Sequence, residues 1–267
     1  MTAEKSTQTA IFVSPHLDDA VLSAGGLITR LAKIIPVEVV TVFTQVPGPA
    51  KTASAKRFVK LAKFSRAEDF FAQRRREDKQ VLGSFGVNTR HLGYPDALWR
   101  QKPDLPRWLN RLGKIVPELT HIYPIYDLFV LSGRVANEDS ELRISLAEKL
   151  AEIFERNSKP LVFTCAGVGR HVDHCLVRQV CEKIWPEVIL WSDFPYSLIH
   201  TQTREPGRKR MIIKPDWKLK RKMIAGYTSQ AGNMFPGLII PKVNEKFFVK
   251  TKSDLRQLDI WREVLRG

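Results

Sequence analysis

"AIFVSPHLDDAVLSAGG", residues 10–26, decides the fold. Its first five residues are a short apolar run suited to a strand covered on both faces, and Asp19 to Lys33 then carries apolar residues at helical spacing. "VEVVTVF" (37–43), rich in β-branched residues, reads as a second strand. Strand, helix, strand is the order of a parallel α/β sheet, in which crossovers are right-handed and the carboxyl ends of the strands face one side.

Outward from that unit the alternation continues. "VPGPAKTASAK" (46–56) has no periodicity and reads as a loop. Ser65 is placed to cap "RAEDFFAQRRREDKQVLGSFG", with Glu68 completing a capping box, a helix end near Phe85 and Gly86 as a stop. Strands are expected at "THIYPIY" (120–126), "PLVFTC" (160–165), "EVILWSDF" (187–194) and "RMIIK" (210–214). Helices are expected over 138–156, from His174 to Trp185 and from Asp216 to Tyr227. "GLIIPKV" and "KFFVK" are two further candidate strands near the end. With no repeat and no long polar linker, the expectation is one α/β domain over 1–267, Rossmann-like, with a mostly parallel sheet, helices on both faces and a disordered tail over 1–9.

Composition bounds the function. The 267 residues are 43% hydrophobic and 27% charged, as in globular proteins. No secretory signal and no run near the ~20 apolar residues of a membrane span are visible, which predicts a soluble, cytoplasmic protein. Cys165, Cys175 and Cys181 show no CxxC spacing and read as reduced structural thiols. The net charge of +15 collects at 51–79 and 204–222. Without an RNP, helix-turn-helix or zinc-finger pattern, this reads as a solvated face that favours anionic substrates or surfaces, with no specific nucleic acid as partner.

Two adjacent carboxylates and a histidine at the end of a buried strand are costly unless a cation, hydrogen bonds or a wet cleft compensates them. His16 and Asp19 lie three residues apart on the turn, close enough to reach one metal, with Asp18 pointing elsewhere. "GVGRHVDHCLV" follows another strand and opens a helix, so His174 can supply the third ligand that a catalytic zinc needs, leaving a fourth position open. His171 stays close without binding, and Asp173 can hold or orient an imidazole.

The pair "SPHLDD…GG" and "GRHVDH" resembles the PIG-L (LmbE-like) zinc-dependent N-deacetylase family. "RRREDKQVLGSFG", "HLGYPDALWR", "WSDFPY" and "KMIAGYTSQ" follow in the family's order, so the resemblance covers most of the chain. It implies removal of an acetyl group from an N-acetylglucosamine-type or related small molecule, with Zn2+, or another divalent ion such as Fe2+, as cofactor. It implies metal ligands at His16, Asp19 and His174, a general base at Asp18, and His171 with its orienting partner Asp173 at the tetrahedral intermediate. Arg74 and Asp96 match sugar-binding positions. Leu17 and Ala20 depart from the commoner residues, and Gly169 stands where some members carry a tyrosine. The competing readings are a metal-dependent phosphoesterase, which commonly needs residues for a second ion, and a non-catalytic anion-binding member of the fold.

Overall fold

The computed structural model describes residues 8–157, 160–200 and 204–250. Seven strands form one sheet: β1 (Ala10–Ser14), β2 (Val37–Gln45), β3 (Asn88–Pro95), β4 (Leu161–Cys165), β5 (Ile189–Trp191), β6 (Arg208–Ile213) and β7 (Glu245–Lys250), in the order β3-β2-β1-β4-β5-β7-β6. The first five run parallel, and β7 is antiparallel to both β5 and β6. The Rossmann-like, mostly parallel architecture expected from residues 10–43 is the one found.

The helices are α1 (Asp19–Leu31), α2 (Ala53–Leu61), α3 (Ala67–Gly83), α4 (Arg107–Leu112), α5 (Tyr126–Phe129), α6 (Ser140–Glu155), α7 (Val172–Ile184), α8 (Trp217–Ala225) and α9 (Thr228–Met234). Right-handed crossovers put α1 and α3 on one face of the sheet and α6 and α7 on the other. From β1 the chain moves outward through β2 to β3, then returns to β4 on the other side of β1. That reversal makes the carboxyl ends of β1 and β4 the crevice where open sheets bind ligands.

β1 is buried at every position, which explains why it has no polar alternation, and Phe12 stacks on Phe163 of β4 at 4.4 Å between ring centroids. Glu245 anchors the middle of α1 by accepting the Gly26 and Leu27 N–H groups at 2.7 and 2.9 Å, and Lys220 of α8 pairs with it at 2.7 Å. A Cβ at Gly26 would stand 2.5 Å from the Pro215 side chain, so only glycine admits this approach.

Several expectations are corrected. "THIYPIY" is not a strand: it holds one isolated bridge from Gln101 to His121, then turns into α5. Its apolar residues Ile122 and Tyr123 are satisfied in a second small core with Phe70, Phe71 and Trp99, and Pro124 has no N–H for a ladder. The sheet edge beside β2 belongs instead to β3, whose Arg90, His91 and Gly93 interrupt the apolar signal that would have announced it. The loop after β2 ends earlier than expected, because Thr52 caps α2 by accepting the Ala55 N–H at 3.2 Å. The Ser65–Glu68 capping box does not form; Arg66 is the first flanking residue of α3, without a side-chain cap. "GLIIPKV" is not a strand either, although "KFFVK" is, as β7. Of the expected tail, residues 1–7 lie outside the described residues, and Thr9 already accepts the Leu161 N–H at 2.8 Å.

The basic run 204–222 is structural in part. Arg208 bonds Glu182 at 2.8 Å, Lys220 is the buried partner of Glu245, and exposed Lys209 and Arg210 lie on the edge strand β6, where charge discourages pairing with another chain.

Candidate active site at the switch point

The turn after β1 is built from its own side chains. Ser14 Oγ donates to the His16 carbonyl at 2.7 Å and accepts the Ala20 N–H at 3.1 Å, which bends the chain sharply into α1. Asp19 then occupies the first helical position, where the N–H groups favour a carboxylate. After β4, His171 caps α7 by accepting the Asp173 N–H on Nδ1 at 3.2 Å.

These two turns meet. The His16 and His174 rings lie 5.3 Å apart, and His16 and His171 4.9 Å apart. Asp19 Oδ2 stands 3.1 Å from His16 Nδ1 and 3.3 Å from His174 Nε2. Ligand atoms at about 2.0–2.1 Å from a tetrahedral ion lie roughly 3.3 Å apart, so the spacing suits a shared cation. Each imidazole has a buried carboxylate behind it: His16 Nε2 meets Asp173 at 3.0 Å, and His174 Nδ1 meets Asp193 at 2.7 Å. Such carboxylates fix the tautomer and aim the opposite nitrogen at a metal.

The electrostatics ask for positive charge. Burial opposes protonation of His16, yet the hydrogen bonds and charges of Asp173 and Asp19 outweigh it and push its pKa up to about 9. Burial likewise opposes charge on His174, but Asp19 and Asp193 hold it well above its ordinary value. Asp19 itself is held low, mainly by His174 and His16 against the penalty of burial. The carboxylates thus favour positive charge on both imidazoles. A divalent cation in the same place would supply that charge and release the protons.

Among the described residues, three overlapping groups have ligand atoms within 4.8 Å of one another: His16 with Asp19 and His174, His16 with His171 and Asp173, and Cys165 with His174 and Asp193. The first fits a cation best. Asp173 is already neutralised by Arg100 Nη2, whose charge would repel a metal, and against burial that guanidinium holds its carboxyl low. Cys165 is buried, its thiol pushed up to about 12 by desolvation, and it donates to the His174 carbonyl at 3.3 Å. The Asp193 carboxylate also accepts the Val168 N–H at 2.9 Å.

Asp18 points away from that group, as the spacing predicts. Its Oδ2 accepts from Gln230 Nε2 at 2.8 Å, and Arg74 Nη2 lies 3.6 Å from Oδ1. Burial pushes its carboxyl up to about 7, although Arg74 pulls the other way. His171 is held neutral, first by burial and then by the neighbouring charge of His16. Because its Nδ1 accepts a backbone N–H, the ring proton sits on Nε2. The Asp173 side chain serves His16 rather than His171.

His16, Asp18, Asp19, His171, His174 and Gln230 line a cavity of about 240 Å³ whose walls include Leu22, Phe58, Tyr126, Tyr196 and Met234. Arg74 and Asp96 also line it, and Arg74 Nε and Nη1 are buried without a hydrogen-bond partner among the described residues. Asp96 Oδ2 lies 3.7 Å from His16 Nε2, while its Oδ1 accepts the Leu98 N–H at 3.0 Å. Tyr196 packs against Gly169: a Cβ there would stand 2.4 Å from its ring, and φ is +86°. Tyr196 thus fills the space beside Gly169, and its hydroxyl is 3.5 Å from that of Tyr126.

Asp193, Gln230, Arg100 and Tyr126 carry no reading of their own in the sequence. Asp193 and Gln230 stood inside "WSDFPY" and "KMIAGYTSQ", where position just after β5 was the available signal for the former. The rest of "GYTSQ" packs: Tyr227 donates to Asp78 at 2.8 Å, and Thr228 and Ser229 donate to Glu77, each at 2.6 Å. Glu77 therefore faces α9 rather than the cavity.

Two predictions follow from the carboxylates behind the histidines. Asp193→Asn should weaken metal affinity about 10–100-fold, read by competition with a chromogenic chelator; an unchanged affinity would show that Asp193 does not orient His174. Arg100 lies between Asp173 and Asp139, at 2.9 Å from the latter, and over the Phe43 and Tyr123 rings. Arg100→Met leaves two buried carboxylates without their cation and should cost about 3 kcal/mol in urea unfolding. A loss below about 1 kcal/mol would mean that the two carboxylates are compensated elsewhere.

A family model described as "PIG-L: GlcNAc-PI de-N-acetylase" matches residues 11–185, about two-thirds of the chain. The chain belongs to the PIG-L family. Over 251 residues this PIG-L protein is 23% identical to the 2'-N-acetylparomamine deacetylase of Niallia circulans, an alignment covering 88% of this chain and 85% of that one. Among solved structures, a teicoplanin complex of a deacetylase from teicoplanin biosynthesis superposes with a TM-score of 0.71 at 24% identity, covering 92% of this chain and 100% of that one. The zinc-inhibited form of teicoplanin deacetylase gives 0.70 at the same identity and coverage. The resemblance carried by the two motifs is borne out, and with it the expectation of an N-deacetylase. No helix among the described residues is long and apolar enough to cross a membrane.

Proposed function

We propose that this PIG-L protein hydrolyses the N-acetyl amide of a small amino-sugar-type molecule in the cavity at the carboxyl ends of β1 and β4. The observation that carries the reading is the meeting of His16, Asp19 and His174 around one point, with Asp18 beside them and outside that group. His16, Asp19 and His174 would hold zinc, or a comparable divalent ion such as Fe2+. When bound, the ion supplies Lewis acidity that brings the pKa of water near 7 and polarises the amide carbonyl.

Asp18 takes the proton as water oxygen attacks the carbonyl carbon. Arg74 favours its ionised, proton-accepting form, and Gln230 keeps its carboxylate aimed. His171, neutral with its proton on Nε2, donates a hydrogen bond to the oxygen on which negative charge develops. Asp173 acts indirectly, by orienting His16. Protonated Asp18 then returns its proton to the nitrogen as the C–N bond breaks, giving acetate and a primary amine. Arg74 and Asp96 offer polar groups for sugar hydroxyls, and the unpartnered Arg74 nitrogens support this role. The deacetylase names of the paromamine and teicoplanin relatives support a sugar-containing substrate.

A phosphoesterase is disfavoured by the wall of buried carboxylates, which repels phosphate, and by candidate ligand groups that, among the described residues, share members instead of forming a second separate set. The test is to incubate metal-loaded protein with a panel of N-acetylated amino sugars and with phosphate monoesters. Equal amounts of acetate and primary amine from the first set are expected; phosphate release alone would overturn the reading. We further propose a single-domain protein located in the cytoplasm, the latter to be checked by cell fractionation.

A further inference from the structure

The second small core leaves its outer side unusual. Along α2, α4 and the turn after α4, four exposed apolar residues each follow directly on a cation: Lys60–Leu61, Arg107–Trp108, Arg111–Leu112 and Lys114–Ile115. Leu61 is 56% exposed, Trp108 63% and Ile115 80%. Leu128 and Phe129 of α5 are exposed as well. Residues 51–66 and 102–129 hold ten lysines and arginines against three carboxylates, and of those three Glu118 is engaged with the Ala53 N–H at 2.9 Å.

These segments are held together. That Glu118 bond ties the first turn of α2 to residues 117–119, and Ser54 Oγ accepts the Tyr126 N–H at 3.1 Å, tying the same turn to α5. Asn233 of α9 donates to the Leu61 carbonyl at 2.7 Å at the other end of α2. Phe58 of α2 and Tyr126 of α5 line the active-site cavity, so the face borders its mouth.

The geometry points to this face as a docking surface for an anionic lipid bilayer. Indole and aliphatic groups interleaved with Lys and Arg are the composition of segments that rest at a membrane interface, with apolar groups among the acyl chains and cations at the headgroups. A second copy of the chain is the poorer occupant, since it would set ten cations against ten. The inference is independent of the proposed reaction, and its test involves no turnover.

The experiment is co-sedimentation of the full chain with vesicles of phosphatidylcholine alone, or with about one-third phosphatidylglycerol, at low and high salt. Binding is expected to the anionic vesicles and to weaken with salt. Neutralising Lys56, Arg57 and Lys60 together to Gln should lower the partition coefficient about 100-fold, at about five-fold per cation. Trp108→Ser with Ile115→Ser should lower it at least about tenfold with the charge unchanged. The control removes the same charge elsewhere, as Lys209→Gln, Arg210→Gln and Lys218→Gln, and should change binding only a few-fold. No binding to anionic vesicles, or equal losses in the control and the α2 variant, would overturn the proposal. So would a dimer, or a complex with an acidic protein, that the Trp108 and Ile115 substitutions dissolve while vesicle binding persists.

Discussion

His174→Ala is expected to remove the bound metal and, with it, essentially all turnover. Among the described residues, the ring is one of the three groups proposed to hold the ion, and its Nε2 lies 3.3 Å from Asp19. Two remaining ligands cannot hold a divalent ion against water at micromolar concentrations, so stoichiometry should fall from about one ion per chain to near zero. Without the ion the amide loses both its polarisation and its acidified water, a loss of several orders of magnitude in rate. The substitution also strips Asp193 of its partner at 2.7 Å, so thermal unfolding must be followed in parallel. Asp19→Asn, nearly the same in shape, provides a second variant and should weaken the metal in the same way. A His174→Ala protein that keeps one ion and the parental rate would end the assignment of the metal group.

Asp18→Asn should have the opposite signature, with metal kept and turnover reduced about 10²- to 10⁴-fold. Asp18 is outside the group that surrounds the ion position, so stoichiometry and affinity should hardly change. Asparagine preserves the shape and can still accept the Gln230 hydrogen bond through its carbonyl oxygen. It cannot take a proton from water or return one to the leaving nitrogen. The loss should appear in kcat more than in KM, because the proton transfers belong to the transition state. Elemental analysis with steady-state kinetics on N-acetylated amino sugars checks both halves. Parental turnover in Asp18→Asn would remove Asp18 as base, whereas loss of the metal would make it a ligand.

That Asp18 points away from the group formed by His16 and Asp19 was legible in the spacing. On a strand-to-helix turn, residues three apart face one another while the residue between them is turned aside, and His16, Asp18 and Asp19 follow that rule. What the spacing could not show is the company Asp18 keeps. Gln230 reaches it from 212 positions away and Arg74 from α3, and together with burial they set both its orientation and its proton affinity. Asp173 shows the same limit at shorter range. The family resemblance implied it as the orienting partner of His171, but the helix cap formed by His171 uses the Asp173 backbone N–H, and the carboxylate meets His16.

The edge of the sheet divides along the same line. β1, β2 and β4 were readable because strands buried on both faces must be continuously apolar. β3 was not, since an edge strand tolerates Arg90, His91 and Gly93, and "THIYPIY" misled because its apolar residues fill a small second core instead of pairing in the sheet. By itself the sequence determined the parallel α/β unit and the placement of both histidine-aspartate turns at strand ends, since periodicity and turn chemistry depend on residues near one another in the chain. Only the tertiary structure decided which carboxylate stands behind each imidazole, which residues steady Asp18, and that Tyr196 fills the space beside Gly169. Those contacts join segments up to two hundred residues apart, and side-chain packing, which no local pattern encodes, sets them.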